Sequence, residues 1–270
     1  RGVRHMKKKL LTSLTLEPFE RFDLLPLSFS RINKFVTDRT GFYISYIHKF
    51  KGSSCSMERG TWAEHGTLKL FEGMSEEDAI KDALYYYDKA VEEKKLEDDP
   101  KRSTERTNIP LYIKGFWKEL KQFELEDFQE KQESKILDIP IIGYTDFGLL
   151  TPIDNIYFKV DLKSSGRMPS TLTNSVSLQQ SYYTSTSNVE NKVLYSVVNR
   201  QGKYFTKWFN LENTGTYQRV FRDMIISMHS FLSKCEDKEE MKKLIVPDLD
   251  NWIWNYDPKV TKIRKEIWGY

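Results

Sequence analysis

In "GYTDFGLLTPIDNIYFKVDLKSS", Gly143 to Ser165, two apolar stretches each carry an aspartate, Asp146 and Asp161, and Lys163 follows the second aspartate by two positions. Charge inside an apolar strand is costly unless it is paired or put to use. Alternation along a strand puts Asp161 and Lys163 on one face and Leu162 on the other. Asp146 and Asp161 are fifteen positions apart, room for a hairpin that sets the two carboxylates side by side. Two ionised carboxylates that close repel, and burial raises the pKa of one of them. A hard divalent cation removes the conflict, because Mg²⁺ takes oxygen ligands and needs few of them from protein. The main-chain carbonyl of Leu162 is a further oxygen in reach. Lys163 would face a scissile phosphate or a water on the ion, where it can stabilise developing charge or orient the nucleophile. For the Asp161-Leu-Lys163 triplet alone, a buried ion pair at a strand end is an equally good account. Two more such triplets, Asp99-Pro-Lys101 and Asp257-Pro-Lys259, sit in proline-containing stretches that read as solvated surface.

The elements that must position these residues have uneven signals. "LPLSFSRINKF" predicts a helix capped near Ser30, and aromatic-rich "GFYISYIHKF" follows it. "MERGTWAEHGTLKLFEG" reads as a helix, as does "SEEDAIKDALYYYDKAVEEKKLEDD", which starts at Ser75 with acidic residues in its first turn. "LEDDPKRSTERTN" reads as an exposed charged loop and "PLYIKGFWKELKQFELE" as an amphipathic segment whose aromatics enter the core. From about Ser134 the pattern turns to short β-rich runs, with "TPIDN" as a turn. "TNSVSLQQSYYTSTS" returns to helical spacing, "RQG" marks a hairpin between two further strands, and "TGTYQRVFRDMIISMHSFLSKC" is an amphipathic helix. This order predicts an α/β fold with a helical N-terminal part. Residues 10–270 are read as a single domain: 10–130 a helical wall, 131–211 the catalytic core, 212–270 C-terminal helices and tail. Residues 1–9 are read as a tag remnant and start, with Met6 as the native beginning.

The pair "GYTDF" and "KVDLKSS" resembles the PD-(D/E)xK nuclease superfamily, with Asp146 as the first acid and Asp161-Leu-Lys163 as the acid-x-lysine. Three further pieces resemble its RecB-like, lambda-exonuclease-like branch: "SFSRINKF" with "FYISYI", then "RGTWAEHG", then "SLQQSYY" with Gln179 and Tyr183 in register. The resemblance runs from Ser28 to Tyr183 and implies a restriction-endonuclease-like core, a central mixed sheet flanked by helices. It implies Mg²⁺ or Mn²⁺ held by Asp146, Asp161, the Leu162 carbonyl and either Glu64 or His65. A carboxylate suits Mg²⁺ and an imidazole tolerates Mn²⁺, so Glu64 is favoured and His65 stays a rival. Gln179 and Tyr183, four apart on a helix, would place Lys163 and a DNA phosphate. Ser164, Ser165 and Arg167 beside the cut, and Arg31 and Lys34 on the opening helix, are candidate phosphate contacts; ordinary surface polarity accounts for them equally well. Trp252 and Trp254 could stack on bases, although packing of the tail is the commoner use of such residues.

The activity so implied is metal-dependent exonucleolytic cleavage of DNA, in end processing during recombination, repair or phage replication. The alternatives are a site-specific or structure-specific endonuclease on the same fold and an inactive nucleic-acid-binding module; the intact Asp146, Asp161 and Lys163 argue against the latter. The expected partners are DNA and a recombination or replication protein. A net charge of +3 makes the whole surface no polyanion binder, so nucleic acid must meet a local basic patch. The two cysteines, Cys55 and Cys235, cannot furnish the four ligands of an iron–sulfur cluster, so none is expected. They fit a reduced, cytoplasmic chain, phage-encoded or cellular. No apolar run nears the roughly 18 residues of a membrane span, so no membrane partner is expected.

Overall fold

The computed structural model describes residues 12–187, 189–212, 214–247 and 258–269. His5, Met6, Trp252, Trp254 and Asp257 lie outside the described residues. In chain order the elements are α1 (Glu17–Glu20), β1 (Leu27–Ser28), α2 (Phe29–Thr37), α3 (Arg39–Phe42), a π-helical turn (Tyr43–Ile47), α4 (Cys55–Phe71), α5 (Glu76–Glu93) and α6 (Arg102–Leu120). There follow β2 (Glu124–Ile136), β3 (Ile139–Leu150), β4 (Tyr157–Ser165), α7 (Asn174–Ser187), β5 (Asn191–Val198), β6 (Tyr204–Asn210), α8 (Thr214–Leu232), α9 (Lys238–Lys243) and α10 (Pro258–Trp268). The sheet has the order β1-β3-β4-β5-β6, with β2 also paired to β3. It is mixed: β1–β3 and β4–β5 are parallel, β3–β4 and β5–β6 antiparallel. The chain is thus α/β with a central mixed sheet and flanking helices.

Contacts gather the residues into two compact units. Of the described residues, one unit holds those up to Phe50, Glu133–Ile142 and those from Arg219 onward; the other holds those in Lys51–Gln132 and Gly143–Gln218. In the first unit, α2 is capped by Ser28, whose hydroxyl accepts from the Arg31 N–H at 3.3 Å. Ser30, the cap expected from the sequence, sits inside the first turn, its hydroxyl 3.1 Å from that of Ser28. An aromatic cluster closes the unit, with Phe35 edge-on to Phe42 at 5.3 Å and against Phe231 at 5.4 Å.

In the second unit, α4 and α5 start where serine supplies a cap: the Ser54 and Ser75 hydroxyls accept from the N–H groups of Met57 and Asp78. The charged stretch expected to be an exposed loop is instead, from Arg102 onward, the beginning of α6. Its charges are consumed by partners: Glu105 is buried against Arg59 at 2.8 Å, and Arg106 grips Asp88 with contacts at 2.7 Å. The amphipathic segment also ends earlier than its pattern suggests, because β2 begins at Glu124. Helices α4, α5 and α6 cover one face of the sheet. Ala63, Leu70, Ala83, Ile113 and Phe116 share a buried cluster with Phe147, Leu149, Val160, Leu162 and Leu194. Each fully buried large apolar side chain there contributes about 1.5–3 kcal/mol. Val193 and Tyr195, next to Leu194 on β5, belong to a separate cluster with Phe209, Met168, Leu172 and Val176, as period-2 alternation requires.

The three helices meet closely at Gly66. A Cβ there would stand 2.4 Å from Ile113 Cδ1 and 3.2 Å from Ala83 Cβ. Helix propensity favours Gly66→Ala by about 1 kcal/mol, but overpacking a buried junction costs about 1–3 kcal/mol. The variant should unfold at lower urea with an unchanged slope. A midpoint at or above wild type would show that the junction has slack.

Candidate active site

Strand β4 carries the central pair. Asp161 is 3% exposed and its Oδ2 lies 2.5 Å from Lys163 Nζ. Val160 and Leu162, between and beside them, point the other way into the helix-covered core. Antiparallel pairing of Phe147 with Val160 brings β3 alongside, and Asp146 Oδ2 accepts the Leu162 N–H at 2.7 Å. Helix α4 supplies Glu64, whose Oε1 accepts from Gln129 Nε2 at 3.1 Å. Helix α7 supplies Gln179 and Tyr183, joined at 3.2 Å. The close seating of α7 depends on Gly143, where a Cβ would lie 2.5 Å from Tyr183 Cε1.

The electrostatics record crowding. Burial pushes the Asp146 carboxyl well above the ordinary aspartate range, and the charges of Asp161 and Glu64 push the same way; Lys163 and the Leu162 N–H oppose them. Glu64 is raised first by burial, eased by Gln129, raised again by Asp161 and eased by Lys163. For Lys163, burial lowers the ammonium's pKa, but Asp161 and Asp146 outweigh it and hold the amine protonated. Burial, with Asp161 and Asp146 adding, pushes the Tyr183 phenol up to about 12 against the Gln179 hydrogen bond, so it stays a hydrogen-bond donor. The candidate ligands are all oxygen, the carboxylates of Asp146, Asp161 and Glu64, which share one lysine, Lys163. That chemistry fits a hard divalent cation, which would neutralise the excess charge. Among the described residues no three His, Cys, Asp or Glu side chains stand ready-made as a metal cluster; Asp161 leans on Lys163 and Asp146 on a main-chain N–H.

The remaining candidates fall in three places. His65 turns to Asp82 at 2.7 Å and lies among the rings of Trp62 and Tyr86, a different face of α4 from Glu64. Ser164 and Ser165 contribute main-chain carbonyls to a clamp on the end of β4: Arg59 donates to Ser164 at 3.0 Å, and the Tyr112 hydroxyl to Ser165 at 2.9 Å. The Ser165 hydroxyl is bonded to the main chain of Arg167. Arg31 and Lys34 belong to the other unit and have partners there. Arg31 donates to the Leu24 and Pro26 carbonyls and lies over the Tyr46 ring, and Lys34 pairs with Asp38 at 3.3 Å. Cys55 and Cys235 are buried free thiols. Sequence reasoning missed Gln129, Arg59 and Tyr195, the β5 register partner of Lys163. Only Arg59, beside the "GTWAEHG" stretch, had any sequence signal.

The fold of this chain is similar to that of a solved protein whose own name is that of an exonuclease candidate. A crystal structure from Eubacterium rectale, so named, matches at a TM-score of 0.55 and 11% identity, covering 91% of this chain and 94% of that one. At that identity the likeness is one of fold. A second solved structure, SSO0001, has a TM-score of 0.31 and 15% identity over 47% of this chain and 61% of its own, too slight to argue from. No protein-family model and no curated protein matches the chain. No helix among the described residues is long and apolar enough to cross a membrane.

The raised Asp146 predicts a pH dependence. The folded chain holds that proton more tightly than the unfolded chain, whose aspartate titrates near about 3.9. The group's stabilisation is therefore full below that pH and lost as pH climbs through the raised folded value. In chelator, Asp146→Asn should melt increasingly above wild type as pH rises from about 4 toward neutrality. Parallel melting curves across that range would mean that Asp146 is not crowded.

Proposed function

We propose that this chain is a divalent-metal-dependent deoxyribonuclease acting from DNA ends. The observation that carries the reading is the convergence of Asp146, Asp161, Lys163 and Glu64 from β3, β4 and α4 into one crowded cluster. Such an arrangement is unfavourable for stability alone and matches the needs of phosphoryl transfer. Glu64, Asp146, Asp161 and the Leu162 carbonyl would hold Mg²⁺ or Mn²⁺. Glu64 is preferred over His65 because its carboxyl and those of Asp146 and Asp161 feel one another's charge, while His65 is occupied by Asp82. When bound, such an ion neutralises phosphate charge and sharpens the nucleophilicity of water.

The chain's own groups account for the rest. Water adds to phosphorus, the bond from phosphorus to the 3′ oxygen breaks, and the products are a 5′-phosphate and a 3′-hydroxyl. Lys163, kept protonated by Asp161, is suited to stabilise charge on the phosphoryl oxygens rather than to remove a proton from water. Tyr183, kept neutral and oriented by Gln179, can donate a hydrogen bond to the same phosphate. The clamp of Arg59 and Tyr112 on the Ser164 and Ser165 carbonyls fixes the end of β4 and so the reach of Lys163. Action at ends is supported by the fold-level likeness to a candidate exonuclease along nearly the whole chain, and by the RecB-like resemblance of the opening helix.

The decisive assay uses end-labelled linear DNA and covalently closed circles, with Mg²⁺ or Mn²⁺ and with chelator. Linear DNA should be shortened to small products only with metal, and circles should survive. Rapid linearisation of circles would make the chain an endonuclease on the same fold. In the linear assay Lys163→Ala should lower turnover by roughly 10²-fold with DNA affinity nearly unchanged. Equal losses in both would reduce Lys163 to a phosphate contact.

A further inference from the structure

Strand β2 has an irregularity at the one place where it meets the carboxylate cluster. Successive strand residues point to opposite faces. Here Phe128 packs with the helix-covered core, 5.1 Å from Phe147, and its neighbour Gln129 turns to the same side to reach Glu64 on α4. Leu125 also packs on that core, three positions before Phe128 rather than two or four. On the other side Asp127 and Glu130, again three apart, both meet the Tyr157 hydroxyl, at 3.0 and 3.5 Å. The second offset spans Gln129, and the backbone there departs from strand geometry; the first lies just before it. Gln129 has φ of 50°, the left-handed region that L side chains rarely adopt. Glycine or asparagine would sit there with less strain. A glutamine kept at a strained position, with its amide on a cluster carboxylate, marks a function for that amide.

We propose that Gln129 is a positioning residue for Glu64. Its strained, left-handed backbone turns its amide so that it holds one Glu64 oxygen and aims the other at the cation. This inference rests on the metal-dependent reading given above. Gln129 touches neither the ion nor the DNA; it acts through Glu64, as hydrogen-bonded partners of metal ligands do.

Two substitutions separate this role from a structural one. Gln129→Gly and Gln129→Asn both accept the left-handed backbone, and neither carries an amide long enough to reach Glu64. A structural residue would destabilise the chain when replaced. A strained positioning residue should instead leave metal-free melting in chelator unchanged or raised. Mn²⁺ binding by calorimetry without DNA should weaken about tenfold in both variants, and the metal concentration for half-maximal cleavage should rise in step. Unchanged Mn²⁺ affinity in both variants, beside a wild type that binds, overturns the inference and leaves the nuclease reading standing. Lower melting in both overturns it as well, since the amide would then be part of the framework. A wild type that takes up no Mn²⁺ overturns the metal site itself, and the role of Gln129 with it.

Discussion

Asp161 and Lys163 form an ion pair at 2.5 Å on a strand whose other face is a closed apolar core, and the arrangement of the second unit follows from accommodating it. A buried charge pair is stable only if its remaining polar atoms are satisfied and its position is held. The position is held from both sides: β3 and β5 flank β4, and Arg59 and Tyr112 close on the carbonyls at its end. Arg59 is itself fixed by buried Glu105 and lies over the Tyr112 ring at 4.8 Å, so the clamp is one connected network. Its members come from α4 and α6, the helices that also bury the opposite face of the sheet.

Charge balance is what the second unit leaves unresolved. Asp146 and Glu64 join a pair that is already neutral, and burial first, with the neighbouring carboxylates adding, drives both carboxyls upward. In a protein interior that excess is removed by protonation or by a cation. The first answer would leave a pH-sensitive cluster; the second would suit phosphoryl transfer. The second is the proposed state: the carboxylates of Asp146, Asp161 and Glu64 offer hard oxygens, and Lys163 is held protonated by Asp161 and Asp146. The left-handed backbone at Gln129 lies where its amide meets Glu64, one of these carboxyls.

Local pattern alone was enough for much of this protein. The alternation around Asp161 and Lys163, the turn at "TPIDN", the hairpin at "RQG" and the serine start of α5 are short-range signals, and the structure has each where local chemistry puts it. Spacing likewise foretold that Gln179 and Tyr183 share a helix face. Tertiary structure decided the rest. The stretch 102–108 reads as a solvated loop because its charges have no visible partners in sequence; Arg59 and Asp88, 46 and 18 positions away from theirs, make it a helix. The strand from Glu124 was hidden because "ELEDFQEKQESKI" is polar, and the left-handed backbone at Gln129 blurs the period that would have betrayed it. The choice between Glu64 and His65 could not be made from adjacent positions. What lies opposite each, the Gln129 amide for Glu64 and Asp82 with two aromatic rings for His65, is a property of the folded chain.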